Sequence, residues 1–375
     1  MRTAALHERG LRMSRRPLII LAAATASILA LAGCSQSSGT TDATTAPSSA
    51  ATASAALPAP FDGDPVEIAL VRQSGAGDYF TQWGAGAAAQ AAAANIKLTV
   101  TDAQDDNAKQ ASDLEQAIAS KPAAIIVDHG LTDTIEPLVH QAVDAGIPVI
   151  VYDLALNDPT GVITTSQSDE SMAQGVLDQL IEDVGKGAKV GYVSATGYAA
   201  LDRRAKVWDE VVADNDLDVV FSTGTVSAST ASDNQPLVSA ALKQHPDVQA
   251  IFAPYDEITK GTVLAVNEND LAGSVKVYGI DISNADIEVI TADGSPWVTT
   301  SATDPAAVGA AVVRSIALSL AGESTETDVQ FPAVTITQQF LADKSITNVA
   351  DLRTAEPSLL LDDVETADWL PAVSQ

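Results

Sequence analysis

The sequence has few cysteines and few basic residues. Cys34 is the only cysteine among 375 residues, so no disulfide can form within the chain. Lys and Arg number 20 against 49 Asp and Glu, which gives a formal charge of −29. Nucleic acids require a basic surface for their phosphates, so we expect no nucleic-acid partner. The apolar share of 46% allows a sizeable buried core, and the length suits two domains.

Motifs of the common enzyme classes are also missing. The chain has four histidines, no Cys/His spacing typical of zinc, no P-loop and no nucleophile elbow. The glycine-rich segment 75–80 lacks the third glycine of the dinucleotide fingerprint, and Asp78 would repel a phosphate. We therefore expect a protein that is not an enzyme, with no catalytic residue, no cofactor and no metal site.

The amino terminus differs from the rest of the chain. Three arginines (Arg12, Arg15 and Arg16) precede an apolar run at 18–31, which ends in Leu-Ala-Gly-Cys at 31–34. This order is typical of a secretory signal peptide, and the run is shorter than the roughly 20 residues that span a membrane. The tetrapeptide resembles the bacterial lipobox, which implies cleavage after residue 33 and lipidation of Cys34. We expect export to the extracytoplasmic face of the cell membrane, with residues 34–60 as a flexible tether.

Short β-rich runs alternate with alanine-rich segments of helical pattern from residue 66 onward. This alternation predicts βαβ units and parallel sheets. About ten strands are more than one doubly wound sheet usually has, so we expect two sheets of about five, divided near 166–169. Asn107 and Asp304 are predicted helix N-caps. The predicted strands are 66–71, 96–101, 124–127, 149–152, 162–165, 189–193, 219–222, 250–252, 275–279 and 298–301, and the predicted helices are 80–94, 107–120, 133–145, 170–184, 200–214, 234–244, 257–269, 285–292 and 305–321.

Polar and aromatic residues follow the predicted strands, at the sheet edge where parallel α/β folds bind ligands. Carboxylates and arginine suit the hydroxyls of a sugar, and aromatic rings suit its apolar face. Simpler alternatives remain: Asp128 and Asp153 as turn residues, Arg204 paired with a surface acid, and Trp83 and His129 as packing residues. The candidate ligand-binding residues are Asp78, Tyr79, Phe80, Asp128, Asp153, Arg204, Tyr255, Asp256, Asp281 and Thr303.

Four segments carry a resemblance to a known family. They are residues 68–71 with 78–80, then 145–153, 245–257 and 277–281. In this order the chain resembles the type I periplasmic binding proteins of the ribose-binding kind, over about residues 66–322. The resemblance implies an α/β fold of two Rossmann-like lobes joined by three hinge strands. The implied lobes are 61–167 with 303–328, and 168–302 with 329–375; the expected hinges lie near 165–169, 301–304 and 328–334.

The resemblance also implies roles for several residues. Tyr79 and Phe80 match the aromatic pair that stacks on a sugar ring, and Thr303 falls where a Gln often closes the site. Asp153, Arg204 and Asp281 match residues that bind sugar hydroxyls. Departures from the ribose pattern are Leu154 in place of Arg, and Asp128 and Tyr255 in place of Asn.

The resemblance implies a solute-binding lipoprotein of an ABC importer, monomeric, that closes around a small polar ligand. Carboxylates outnumber the one arginine of the site, which favours a neutral sugar or polyol, or a cationic ligand, over an anion. The alternative function is a sensor that presents a sugar, an autoinducer-like molecule or a cationic compound to a membrane receptor. Residues 341–375 lie beyond the resemblance and have no predicted function.

Overall fold

The computed structural model of the chain describes residues 56–323 and 325–373. The predicted signal peptide, Cys34 and the tether up to residue 55 lie outside the described residues. Among the described helices, none combines the length and the apolar character that crossing a bilayer requires.

The first lobe is built on a six-stranded sheet in which every pairing is parallel. The strand order is β11-β5-β4-β3-β1-β2. Its central strands β1, β3 and β4 are nearly all apolar and buried, as expected for strands covered on both faces, whereas the edge strands β2 and β11 are more exposed. The strands are β1 (Val66–Arg72), β2 (Ile96–Asp102), β3 (Ala124–Asp128), β4 (Val149–Tyr152), β5 (Val162–Gln167) and β11 (Asp328–Phe331), and the helices are α1 (Asp78–Ala93), α2 (Asn107–Ser120), α3 (Thr132–Asp144) and α9 (Pro305–Leu320).

The second lobe repeats this plan. Its sheet has the order β12-β10-β9-β8-β6-β7, and only the edge pairing of β12 with β10 is antiparallel among the described strands. The strands are β6 (Lys189–Val193), β7 (Asp218–Thr223), β8 (Ala250–Ala253), β9 (Lys276–Gly279), β10 (Trp297–Ala302) and β12 (Val334–Thr337), and the helices are α4 (Asp169–Val184), α5 (Ala199–Asp214), α6 (Thr230–Gln244), α7 (Asp256–Glu268), α8 (Asn284–Thr291), α10 (Gln338–Asp343), α11 (Val349–Ala355) and a 3-10 turn at Pro357–Leu360. The predicted α/β fold of two lobes with parallel sheets is confirmed.

Helix starts follow from capping chemistry. The carboxylate of Asp304 accepts hydrogen bonds from the backbone N–H groups of Ala306 and Ala307, as predicted, and Pro305 occupies the first turn. The predicted cap Asn107 is wrong by one residue. Asp106 is the cap of α2, because its carboxylate accepts from the N–H groups of Ala108 and Lys109.

The chain passes between the two sheets three times, after β5, after β10 and between β11 and β12. The predicted hinge at 328–334 is too long. Residues 328–331 pair with β5 in the first sheet and residues 334–337 pair with β10 in the second, so the crossing itself is confined to residues 332–333. The assignment of 329–331 to the second lobe is therefore wrong.

The end of the chain also departs from the predicted lobes. Residues 341–359 do contribute to the second-lobe core, but Leu361, Trp369 and Leu370 pack into the core of the first lobe. Trp369 stacks on Phe61 with ring centroids 5.3 Å apart. The buried guanidinium of Arg314 donates to the carbonyl oxygen of Leu361. The chain thus returns to the first lobe, because its last apolar residues find a partner there.

Candidate functional site

A cavity of about 480 Å³ lies between the carboxyl ends of the two sheets. Its size is within the range of ~300–1,000 Å³ that small-molecule pockets occupy. Both lobes contribute to its walls. The first lobe supplies Gln73, Ser74, Ala76, Gly77, Tyr79, Phe80, Asp105, His129 and Gln167, and the second supplies Tyr198, Ala200, Leu201, Arg204, Val226, Ser227, Ala228, Ser229, Thr230, Ala231, Ser232, Gln235, Tyr255, Glu257, Leu264 and Asp281.

Three residues at strand ends adopt a left-handed backbone conformation. They are His129 after β3, Asp153 after β4 and Asp281 after β9, with φ of 60°, 47° and 79°. In each, the backbone N–H donates to a carbonyl oxygen of the neighbouring strand. His129 donates to Tyr152, Asp153 to Thr165 and Asp281 to Ser301. Asp and His tolerate this conformation better than bulky residues do, and such outliers concentrate at functional sites.

Arg204 forms the polar floor of the cavity. Its Nε donates to Asp169 at 2.7 Å, and its Nη1 donates to the carbonyl oxygen of Pro254 at 2.6 Å and lies 3.6 Å from Asp281 Oδ2. Its Nη2 is buried and has no hydrogen-bond partner in the described ranges. A buried guanidinium with one free N–H₂ group on a cavity wall is a preorganised donor for a ligand oxygen.

Asp281 lies beside this donor on the cavity wall. Its Oδ1 accepts a long hydrogen bond from Gln167 Nε2 at 3.4 Å, and Gln167 Oε1 accepts from Thr303 at 2.7 Å. Burial raises the pKa of Asp281, and the nearby charge of Asp169 adds to this effect, while Arg204 opposes it. Thr303 itself lies behind Gln167, fully buried and away from the cavity.

Aromatic rings form the first-lobe wall. Tyr79 and Phe80 meet edge to face with centroids 5.6 Å apart, and Phe80 meets His129 in the same way at 5.0 Å. The hydroxyl of Tyr79 is hydrogen-bonded to that of Tyr152, which holds the Tyr79 ring in place. Trp83 stacks on Tyr152 inside the core, in agreement with a packing role.

Asp128 lies below the cavity and positions His129. Its Oδ2 binds Arg72 Nε at 2.6 Å and its Oδ1 binds His129 Nδ1 at 2.7 Å. Burial alone would lower the pKa of His129, but the hydrogen bond and charge of Asp128 outweigh burial and raise it. Of these two neighbours, His129 lines the cavity and Asp128 does not.

Asp153 forms an ion pair that joins the lobes. Its Oδ1 accepts from Arg203 of α5, and the same guanidinium binds Asp169 at 2.6 Å. Asp153 does not line the cavity. Its Oδ2 has no hydrogen-bond partner among the residues described here.

Asp78 and Asp256 belong to a second ion cluster at the rim of the cavity. Lys260 Nζ lies 2.9 Å from Asp78, 3.6 Å from Asp256, 2.7 Å from Glu257 and 3.5 Å from Asp286. Asp78 is on the first lobe and Lys260 on the second, so this cluster also joins the lobes. Burial raises the pKa of Asp256, and it raises that of Asp286 to about 6. Neither Asp78 nor Asp256 lines the cavity.

The structure thus brings together five of the ten predicted ligand residues. Tyr79, Phe80, Arg204, Tyr255 and Asp281 line the cavity, whereas Asp78, Asp128, Asp153, Asp256 and Thr303 do not. No group of three or more His, Cys, Asp or Glu side chains in the described part of the chain is arranged to hold a metal ion.

Several lining residues carried no signal in the sequence. The sequence places Gln167 only in an expected hinge segment, although the end of β5 is itself a sheet edge. The segment 226–232 is Val-Ser-Ala-Ser-Thr-Ala-Ser, which is similar in composition to a linker. Its position after β7, at the same edge as the other strand ends, is the feature that could have identified it.

Comparisons with known proteins agree with this architecture. Residues 68–324 match the family model described as periplasmic binding protein domain. The ribose import binding protein of Salmonella typhimurium is 27% identical over 262 residues, which cover 69% of this chain and 86% of that protein. The ribose import binding protein of Bacillus subtilis is 28% identical over 188 residues, which cover 50% of this chain and only 60% of that relative.

Two crystal structures are also similar. The 5-methylthioribose transporter solute-binding protein of Thermotoga lettingae, in complex with 5-methylthioribose, is 35% identical with a TM-score of 0.79, over 81% of this chain and 97% of that one. A sugar ABC transporter protein of Yersinia enterocolitica is 29% identical with a TM-score of 0.79, over 82% and 94% of the two chains. The matched family model spans well over half of the sequence, and the chain therefore belongs to the periplasmic binding protein domain family.

Proposed function

We propose that the protein is the extracytoplasmic solute-binding component of an ABC importer and that it binds a neutral sugar or polyol between its lobes. The observation that carries this proposal is the free Nη2 of the buried Arg204 beside Asp281. A donor and an acceptor side by side match vicinal hydroxyls, which offer both functions. The rings of Tyr79, Phe80 and Tyr255 supply apolar faces for the ring carbons.

The charge of the cavity supports a ligand without negative charge. Asp105, Glu257 and Asp281 line the walls, against Arg204 as the only Lys or Arg among the described lining residues. Arg204 is moreover already paired with Asp169, so little positive charge remains for an anion. A cationic ligand is the second class that this balance accommodates.

We further propose that the lobes close on the ligand by rotation at the three crossings. Few residues change conformation in such a movement, because each crossing is one to a few residues long. The ion pairs Arg203–Asp153 and Lys260–Asp78 join the lobes on either side of the cavity and would stabilise the closed form. The closed form would then dock on the permease.

A thermal-shift screen of the purified protein tests the ligand class. The panel comprises ribose, xylitol, 5-methylthioribose, other monosaccharides and polyols, amino acids and polyamines. A ligand at a hundredfold excess over its Kd adds about 2.7 kcal/mol of stability. A rise in Tm with a sugar or polyol, reduced in Asp281→Asn, is expected. A rise with polyamines or amino acids alone would contradict the proposal.

The membrane anchor is a separate part of the proposal. We propose that the chain is exported, cleaved after Gly33 and lipidated on Cys34. Two acyl chains would hold the protein stably at the membrane. Fractionation of cells that express the wild type or Cys34→Ala should show the wild type with the membranes and the variant released. Wild-type protein in the soluble fraction would contradict the anchor and leave the ligand site unaffected.

A further inference from the structure

The cavity is longer than one sugar ring. Along the second sheet, Asp281 follows β9, Tyr255 follows β8, Tyr198 follows β6 and Val226 follows β7. These four strands are consecutive neighbours in the sheet. With about 4.8 Å between neighbouring strands, the lining extends over roughly 14 Å from Asp281 to Val226. A monosaccharide placed at Arg204 and Asp281 leaves the end of the cavity near β7 unfilled.

The second-lobe wall at this far end combines apolar side chains with serine and threonine hydroxyls. Leu201 and Val226 lie on it, with the small residues Ala228 and Ala231, and Leu264 of α7 is 48% exposed where it borders the cavity. Leu264 is one of four large apolar side chains that the described structure leaves exposed.

Three of the four Ser and Thr hydroxyls in segment 226–232 donate within the segment or to Asp233. Ser227 Oγ donates to Asp233 at 2.6 Å, Thr230 Oγ1 donates to the carbonyl oxygen of Ser227 at 2.7 Å, and Ser232 Oγ donates to that of Ser229 at 3.0 Å. A ligand hydroxyl placed here would therefore meet mainly Ser229 and Gln235 as polar partners, beside the apolar side chains of Leu201, Val226 and Leu264. The buried free donor, Arg204 Nη2, lies at the other end.

We infer that the ligand is a sugar or polyol that carries an apolar substituent, such as an alkyl, thioalkyl or aryl group. This inference rests on the proposed function. The hydroxyl-bearing part binds at Arg204 and Asp281, and the substituent lies along Leu201, Val226 and Leu264. The segment 226–232 is thus the part of the second lobe that selects the substituent.

Isothermal titration calorimetry with matched probes tests the inference. The probes are a pentose, its glycosides with methyl, ethyl and propyl groups, and the same pentose with methylthio, ethylthio and propylthio groups in place of the 5-hydroxyl. Two series are needed because either end of the ring could face β7. In one series each added methylene should tighten binding about fourfold, which corresponds to about 0.8 kcal/mol. A disaccharide of similar length serves as the polar competitor.

A variant and its control locate the effect. Val226→Thr keeps the shape of the side chain and adds a hydroxyl to the apolar wall. The affinity ratio of the propyl-bearing probe to the bare pentose should fall fivefold or more, because an apolar group then covers a polar one. Val219→Thr is the matched control, since Val219 is on β7, the strand that precedes Val226, and is 37% exposed and outside the cavity. Its ratio should equal that of the wild type.

The outcomes separate this inference from the proposed function. If the bare pentose or the disaccharide binds as tightly as every substituted probe, the inference is wrong and the proposed function stands. An unchanged ratio in Val226→Thr would also overturn the inference. If no sugar or polyol binds at all, both fail.

Discussion

Each lobe has an aspartate after the third strand of its sheet order, and the two aspartates have different binding partners. Asp153 follows β4 and Asp281 follows β9, which are the third strands in the two sheet orders. Both have positive φ, and both donate their N–H to the next strand at 2.9 Å. Yet Asp153 is bound by Arg203 from the other lobe, while Asp281 lines the cavity beside Arg204. The fold sets the backbone of the two residues, and the neighbouring cation sets what each can bind.

The adjacent arginines of α5 account for this difference. Arg203 is partly exposed and bridges Asp153 and Asp169, whereas Arg204 is 2% exposed and bridges Asp169 and Asp281. Successive residues of a helix point about 100° apart, so one guanidinium reaches the first lobe and the other stays beneath the cavity. Both depend on Asp169, the residue that follows the first crossing between the sheets.

Removal of Arg204 should have the largest effect. Arg204→Met leaves the buried carboxylate of Asp169 with only Arg203, and we expect a loss of about 3–5 kcal/mol in the free energy of unfolding. Arg203→Met is the matched comparison and should cost less, about 1–3 kcal/mol, because Asp169 keeps its buried partner and Arg203 is itself partly exposed, although Asp153 loses its cation. Urea unfolding of both variants measures the difference. Equal losses would show that the two arginines are not distinguished by burial.

Replacement of the two aspartates should separate them by ligand affinity. Asn is similar in shape to Asp and accepts positive φ, so both variants should fold. Asp281→Asn removes a charged acceptor from the cavity wall, and we expect Kd to rise by about ten- to a hundredfold. Asp153→Asn removes an ion pair between the lobes and should raise Kd by less than tenfold. Calorimetric titration with the sugar found in the thermal screen measures both Kd values. A larger rise in Kd for Asp153→Asn than for Asp281→Asn would contradict the assigned roles.

A pH-dependent difference is expected in a region that only the second lobe has. Helix α8 lies between β9 and β10, whereas the described residues between β4 and β5 contain no helix. It carries the buried Asp286, whose pKa burial raises to about 6 and whose two oxygens have no hydrogen-bond partner among the described residues. The pKa of Asp286 is thus higher in the folded protein than in the unfolded chain, where it is about 3.9. Its contribution to the free energy of unfolding is therefore fully present below pH 3.9, roughly, and is lost as the pH rises through about 6.

Asp286→Asn should therefore stabilise the protein at neutral and alkaline pH. We expect a gain on the order of 1–2 kcal/mol at pH 8 and little or no gain at pH 4. The Tm difference between variant and wild type across this range isolates the residue from the other carboxylates. A variant that is less stable than the wild type at pH 8 would show that Lys260 fully compensates Asp286.

The rim ion pair should give the smallest effect. The side chain of Asp78 is 44% exposed, so its pairing with Lys260 is weakened by solvent and salt. Asp78→Asn should change Kd by threefold or less, and the change should shrink between low and high salt. Titrations at two salt concentrations measure it. A large effect that persists in high salt would indicate a direct contact with the ligand.

The main features of the fold could be predicted from the sequence because they rest on local patterns. The alternation of apolar runs and alanine-rich helices predicts the two parallel sheets. The N-cap at Asp304 is predictable because its own carboxylate accepts the hydrogen bonds of the first turn. The edge strands β11 and β12 were missed. Each of these strands has four residues. β11 pairs with β5, more than a hundred residues earlier in the chain, and β12 pairs with β10, about thirty residues earlier.

The site was predictable only in part, for a similar reason. Position after a strand identifies residues near the cavity, which explains why the predicted Tyr79, Tyr255 and Asp281 line it. It does not reveal which carboxylates are already bound by a cation. Asp128, Asp153 and Asp256 lie at the correct edge but are held by Arg72, Arg203 and Lys260. Arg72 and Arg203 come from other elements of the fold, whereas Lys260 lies one turn further along the same helix as Asp256.

The most direct test of the account is a crystal structure of the protein with the sugar or polyol that raises its Tm. We expect a ligand between the lobes, with one hydroxyl oxygen within hydrogen-bond distance of Arg204 Nη2 and a neighbouring hydroxyl donating to Asp281. A ligand bound elsewhere, or bound in the cleft without contact to Arg204 and Asp281, would contradict it.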